Sequence, residues 1–247
     1  MLEQYINESK YIVLLTGAGI STESGIPDFR SVNNGRWKKV NPRKVGSTFA
    51  LRFHKKRFYE FYKDRIESLE QARPNVGHHI ISKWQKEGRV HSIITQNVDG
   101  FHQDAGSHTV YEIHGSIRTV RCTKCENSYS STTYVQEDGQ YCECGKFLRP
   151  EVVLFGENLP EHAIQQAREE VKKADLLIVL GSSLQVSPAN KLLQMAKENG
   201  AKVVIINWEE TIMDKFADCL IHNRKIGEVL QEVDNALSMS QVQKEDE

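Results

Sequence analysis

Four short runs rich in Val, Ile and Leu punctuate the chain, at residues 11–16, 90–95, 176–180 and 202–206. They carry few charges and do not alternate apolar with polar, which is the pattern of strands buried on both faces. Between and after them, apolar residues recur at helical spacing over 53–72, 75–88, 160–174, 188–200 and 226–237. Pro160 and Pro188 suit first helical turns, and Gly88 and Gly200 suit C-terminal caps. The alternation predicts a doubly wound α/β fold around a parallel sheet. Residues 116–150 break it, being rich in Cys, Ser, Thr and Tyr with little apolar periodicity, and read as a small inserted module. The larger domain is then discontinuous, 1–115 with 151–237. Residues 238–247 carry no pattern and are expected to form a flexible tail.

Composition narrows the function classes. The 247 residues hold 32 Lys+Arg against 33 Asp+Glu, a formal charge of −1, which excludes a strongly basic nucleic-acid binder. With 39% hydrophobic and 26% charged residues the chain is globular in type. The apolar runs are far shorter than the roughly 20 residues of a spanning helix, so no membrane partner is expected. The first residues lack a basic region and a cleavage-site pattern, and cytoplasmic residence is the expectation. No apolar helix face is left over, which favours a monomer. Of five cysteines, four fall within one short segment, a distribution that favours a metal over disulfides.

The candidate chemistry gathers at the carboxyl ends of the expected strands, where doubly wound sheets bind ligands. The first strand runs into Gly17-Ala18-Gly19-Ile20-Ser21-Thr22. Glycines there let backbone amides approach a pyrophosphate, though Thr22 replaces the third glycine of the dinucleotide fingerprint, and a plain tight turn is the alternative. The strand at 90–95 ends in 96-QNVDG-100, whose amides and carboxylate suit ribose hydroxyls and a carboxamide, or equally a polar turn. His114 follows the run 109-TVYEIH-114, and an imidazole is suited to taking a proton near pH 7, but eight other histidines compete for that role. Cys122-x-x-Cys125 followed by Cys142-x-Cys144 resembles a four-thiolate zinc site. Four thiolates close the coordination sphere, so the zinc is structural. The module's basic residues Arg118, Arg121, Lys124 and Lys146 are offset by Glu126, Glu137, Asp138 and Glu143, which argues against a nucleic-acid ribbon.

Taken in order, 17-GAGIS-21, 25-GIPDFR-30, 95-TQNVD-99, 114-HG-115, the two cysteine pairs, 155-FGE-157, 181-GSSL-184 and 205-IIN-207 resemble the sirtuins, most of all the bacterial branch of these NAD-dependent protein deacylases. The resemblance runs from about residue 10 to 230. It implies a Rossmann-type large domain, a small zinc-containing module and a cleft between them where NAD and acyl-lysine meet. By the same resemblance Ala18, Thr22, Phe29, Arg30, Gln96, Val98 and Asp99 contact NAD, with Gly181, Ser182, Ser183 and Asn207 on its adenosine side and Ile226 nearby. His114 becomes the general base and Asn97 orders the ribose or a water. The substrate peptide lies as a strand near Val153, Phe155 and Gly156 and near Val186.

The implied reaction releases nicotinamide, free lysine and O-acetyl-ADP-ribose, and the activated ribose also allows ADP-ribosyl transfer as a side activity. Relatives that prefer succinyl or malonyl groups carry Tyr-x-x-Arg just after Phe58. Here Tyr62 holds the Arg place, which predicts acetyl and other uncharged acyl groups. An NAD dehydrogenase with structural zinc and a non-catalytic NAD sensor are the competing readings.

Overall fold

The computed structural model describes residues 2–28 and 41–245. In chain order its elements begin with α1 (Leu2–Glu8), β1 (Ile12–Thr16) and a 3₁₀ helix at Ala18–Ser24. Three helices follow residue 41: α2 (Pro42–Val45), α3 (Thr48–Phe53) and α4 (Lys55–Gln71). Next come α5 (Val76–Lys86), β2 (Val90–Thr95), α6 (Phe101–Asp104) and β3 (Val110–Glu112). The inserted segment holds β4 (Gly115–Cys122), β5 (Ser128–Ser130), α7 (Ser131–Val135) and β6 (Leu148–Val152). The chain closes with α8 (Glu161–Lys173), β7 (Leu176–Leu180), α9 (Ala189–Glu198), β8 (Lys202–Ile206), β9 (Cys219–Ile221) and α10 (Ile226–Glu245).

The main sheet has six strands in the order β3-β2-β1-β7-β8-β9, all parallel. Counted within the sheet this is the order 3-2-1-4-5-6 of a dinucleotide-binding fold, and the order reverses between β1 and β7. The strand pleat divides side chains between two cores. Ile12, Leu14, Ile178, Leu180, Val204 and Ile206 point to one face, covered by α1, α5 and α10 through residues such as Ile6, Trp84 and Leu230. Val13, Leu15, Leu177, Val179, Val203 and Ile205 point to the other, covered by α8 and α9 through Val171 and Leu193. α5 starts well because Asn75 closes a capping box: its side chain accepts from the Gly77 amide at 3.0 Å while its own amide donates to His78 Nδ1 at 3.3 Å.

A third core lies apart. The antiparallel sheet β5-β4-β6 packs Ile117, Val120 and Leu148 against Phe58, Tyr62, Ile66 and Leu69 of α4. Helix α4 therefore packs with the cysteine module, although its sequence lies between two segments of the main sheet domain. The module's bounding strands also reach beyond 116–150, to Gly115 on one side and Val152 on the other. The helix expected over 53–72 is α4, which starts two residues later, after His54, whose φ of −134° leaves the helical region and separates α4 from α3. Where a tail was expected from residue 238, α10 continues to Glu245, with Ser238 and Ser240 hydroxyls donating back to the carbonyls of Asp234 and Ala236 at 2.9 and 3.0 Å. Such back-bonding satisfies the serine hydroxyls inside the helix. No helix among the described residues is long and apolar enough to cross a membrane.

Candidate active site and zinc centre

The crevice opens where β1, β2 and β7 end. Gly17 and Gly19 donate to the carbonyls of Leu180 and Gly181 at 2.9 and 2.8 Å, so the loops after β1 and β7 meet main chain to main chain. A Cβ on Gly19 would stand 2.6 Å from the Gly181 Cα, and one on Gly181 2.4 Å from the Ile20 nitrogen, with Gly181 at φ +64°. The amides of Gly17 and Gly19 are engaged within the protein, and the absence of a side chain at each lets the two loops pack closely. Thr22 donates its hydroxyl to the Gly19 carbonyl at 2.8 Å and is exposed at the rim.

Along the other wall, the Asn97 amide donates to Thr95 Oγ1 at 3.0 Å, and Asn97 Nδ2 reaches the Gly17 carbonyl and Ser21 Oγ, both at 3.2 Å. Ser21 Oγ donates to Asp99 Oδ2 at 2.8 Å, and the Phe101 amide donates to Asp99 Oδ1 at 3.0 Å. Burial raises the Asp99 carboxyl above the usual range, and the Phe101 and Ser21 donors only partly offset that. Gln96 Nε2 spans to Ser182 Oγ at 2.8 Å, joining the ends of β2 and β7. The loop is also pinned to the small sheet, by the Ile117 amide donating to the Val98 carbonyl at 2.9 Å and Arg118 Nε donating to the Asp99 carbonyl at 2.7 Å. Ala18, Ser21, Ile26, Pro27, Asn97, Val98, Asp99 and Ile117 line one cleft between the layers, with Arg65 and Leu69 of α4.

His114 sits between β3 and β4, half-buried. Its Nδ1 lies 3.0 Å from the Gln96 carbonyl, and a carbonyl only accepts, so Nδ1 carries the hydrogen and Nε2 the lone pair. The His114 carbonyl accepts from the Val153 amide at 2.9 Å, which ties the imidazole to the segment expected to bind peptide. That segment is held in turn by Phe155, whose amide donates to the Gly46 carbonyl at 2.9 Å and whose carbonyl accepts from the Thr48 amide at 3.1 Å. Phe155 and Gly156 are exposed, and Val153 and Val186 are half-buried.

Beneath the peptide segment lies a residue that the sequence did not single out. Arg149 is buried, pairs with both oxygens of Glu157, and donates to the carbonyls of Pro150 at 3.1 Å and Val152 at 2.6 Å. Burial alone would raise the Glu157 carboxyl; Arg149 and the Leu154 amide outweigh it and hold it below the ordinary range. Arg149→Leu leaves Glu157 and two carbonyls without that donor and is expected to cost about 3–5 kcal/mol, read by urea unfolding. Because the Glu157 pKa is depressed on folding, the stability it adds is present above its ordinary value of 4.5 and disappears as pH falls through the folded value. The wild type should therefore lose more stability on acidification through this window than the variant does.

At the adenosine end, Ser182 is buried and Ser183 half-buried beside Gly181. The Asn207 amide donates to the Ile221 carbonyl at 3.1 Å, and its carbonyl lies 2.9 Å from His222 Nδ1, while His222 Nε2 lies 2.9 Å from Asp214. The Ile226 side chain is buried in the first core with Val229 and Leu230. Phe29 and Arg30 lie outside the described residues.

The four cysteines come together. All their sulfurs lie within 4.8 Å of one another, with Cys122–Cys144 and Cys125–Cys142 each 3.5 Å apart. A zinc–sulfur bond of about 2.3 Å places tetrahedral sulfurs about 3.8 Å apart, so the donor set fits zinc. The short Cys142-x-Cys144 spacing is accommodated by a tight turn, in which Gly145 at φ +73° donates to the Cys142 carbonyl at 2.7 Å.

Comparisons with known proteins agree with this geometry. A profile described as the Sir2 family matches residues 17–188. An NAD-dependent protein deacetylase 1 of Geobacillus kaustophilus is 53% identical over 237 residues, covering 96% of this chain and 98% of that protein. An NAD-dependent protein deacetylase of Oceanobacillus iheyensis is 49% identical over 235 residues, covering 95% and 99%. Among solved structures, a Sir2 homologue bound to ADP-ribose has a TM-score of 0.92 at 38% identity, covering 98% of this chain and 97% of that one. A Sir2 variant with a deacetylated p53 peptide and 3'-O-acetyl ADP-ribose has a TM-score of 0.88 at 39% identity, covering 94% and 95%.

Proposed function

The chain belongs to the Sir2 family, and on that premise we propose that His114 is the general base with which it works as an NAD-dependent protein-lysine deacetylase. The observation that carries the assignment is the 3.0 Å contact from Nδ1 to the Gln96 carbonyl, which commits Nε2 to the basic form.

Bound in the crevice, NAD supplies a ribose whose bond to nicotinamide is broken and an ADP-ribose that carries the acyl group away. The protein's residues supply the surroundings for that exchange. Asp99, held by Ser21 and Phe101, presents a buried polar group to the nicotinamide carboxamide. Asn97 orders the ribose or a water, and Gln96, Ala18, Thr22 and Val98 complete the contact. Gly181, Ser182, Ser183 and Asn207 receive the adenosine. His114 Nε2 takes a proton from a ribose hydroxyl. Zinc, held by Cys122, Cys125, Cys142 and Cys144, supplies structure alone, because four thiolates fill its coordination sphere.

Acetylated proteins and peptides are the substrates, entering as a strand along Val153–Gly156 beside the His114 carbonyl. Structures of related Sir2 proteins with p53 peptides support that reading. We read the protein as a cytoplasmic monomer with no nucleic-acid partner. The reducing cytoplasm suits a reduced four-cysteine cluster.

The test is mass spectrometry of an acetyl-lysine peptide with and without NAD, in which nicotinamide and O-acetyl-ADP-ribose should appear in step with the free peptide. Succinyl-lysine should be removed more slowly than acetyl-lysine in the same assay. Tyr62 is buried among Phe58 and Ile66 and offers no cation. Faster removal of succinyl would overturn this and point to Arg65, which lines the cleft one turn later.

A further inference from the structure

Between Asp28 and Glu60 the chain carries ten Lys and Arg residues and no Asp or Glu, although its overall formal charge is −1. The rest of the chain is correspondingly acidic. Among the described residues, Arg43 and Lys44 of α2, Arg52 of α3, and Lys55, Lys56 and Arg57 of α4 are all exposed, and none forms an ion pair with another described residue. Phe49 and Phe53 lie between these groups, 57% and 58% exposed, with ring centres 4.9 Å apart. Large apolar side chains held in solvent among cations mark a binding surface more than a solvated face.

Its place in the fold says what it would bind. Thr48, which opens α3, donates to the Phe155 carbonyl, and Gly46 accepts from the Phe155 amide. Arg43 and Lys44 precede that junction and Arg52 to Arg57 follow it. A helix advances about 1.5 Å per residue and an extended peptide about 3.3 Å. Arg52, four residues after Thr48 in α3, thus lies about 6 Å along the helix from that junction, the length of about two peptide residues.

We propose that this surface docks acidic segments of the substrate protein, with apolar side chains interspersed, that flank the acetyl-lysine. The proposal rests on the peptide lying along Val153–Gly156. Charge complementarity selects an acidic partner, and the two exposed phenylalanines select one with apolar side chains over a phosphate backbone.

Three acetyl-lysine peptides test it, identical except for Asp/Glu, Ala or Lys at the three to six positions on each side of the modified residue. They are compared on the wild type and on a Lys55→Glu/Lys56→Glu/Arg57→Glu variant. The wild type should favour the acidic peptide over the alanine peptide by roughly five- to twentyfold in kcat/KM, carried by KM and shrinking as salt is raised. The variant should lose that preference while turning over the alanine peptide as the wild type does. Equal kcat/KM for the acidic and alanine peptides, or a preference unchanged in the variant, would overturn the docking surface. So would tight binding of duplex DNA that the variant abolishes while the peptides are treated alike. Failure of the wild type on every peptide would instead count against the deacetylase assignment itself.

Discussion

His114→Ala is expected to lower kcat/KM for an acetyl-lysine peptide by roughly 10²- to 10⁴-fold, the usual range for loss of a positioned general base. The fold should be nearly untouched, because the imidazole is only half-buried. Thermal unfolding of the variant should therefore stay close to wild type. His114→Asn separates the two roles of the ring. Its amide can still donate towards the Gln96 carbonyl, but it provides no base, so it should be as inactive as the alanine variant. Recovery of activity in the asparagine variant would show that positioning of the 96–99 loop, and not proton transfer, is what His114 provides.

Removal of zinc is expected to have the largest effect on stability. In small zinc-dependent modules metal binding is worth about 10–16 kcal/mol and is folding energy. Here the four thiolates join the end of β4 to the turn before β6, and those strands form the third core with α4. Freshly purified wild type should contain about one zinc per chain by metal analysis. Cys122→Ser or Cys144→Ser should lower that content sharply and abolish deacetylation, since β4 begins beside His114. Cys219→Ser should keep its zinc, because Cys219 lies in the main sheet domain on β9. Full zinc and activity in the Cys144→Ser variant would exclude the second cysteine pair from the site.

The central strands were legible because each is an unbroken apolar run, and burial on both faces requires that pattern. The edge strand β3 showed only as the short alternating run before His114, and β9, three residues long and partly exposed, leaves too little hydrophobic signal to read. Helix α1 escaped notice for a similar reason, burying only Leu2 and Ile6. The cysteines announced their site by spacing, but nothing local in 53-FHKKRFYEFYKDRIESLEQA-72 shows that α4 packs with them. Such pairing is a long-range choice made by Phe58, Tyr62 and Ile66 fitting Ile117 and Leu148.

Of the catalytic region, the glycine turn, the 96–99 loop and His114 could be suspected from residue types at strand ends, and family resemblance supplied their roles. Arg149 stayed hidden because a lone arginine in a polar segment looks like surface until its carbonyl partners are known. Ser21 had no signal of its own apart from its place after the glycines.

The separation of the third core from the two that flank the main sheet affects how readily such an enzyme can diversify. On the proposed reading the acyl group meets side chains of α4, whereas the adenosine meets Gly181, Ser182, Ser183 and Asn207 at the ends of β7 and β8, outside the cleft that α4 lines. Distant sites in separate cores respond to substitution almost additively. A lineage, or a designer, can therefore reshape acyl preference on α4 while the adenosine end of the crevice is inherited intact.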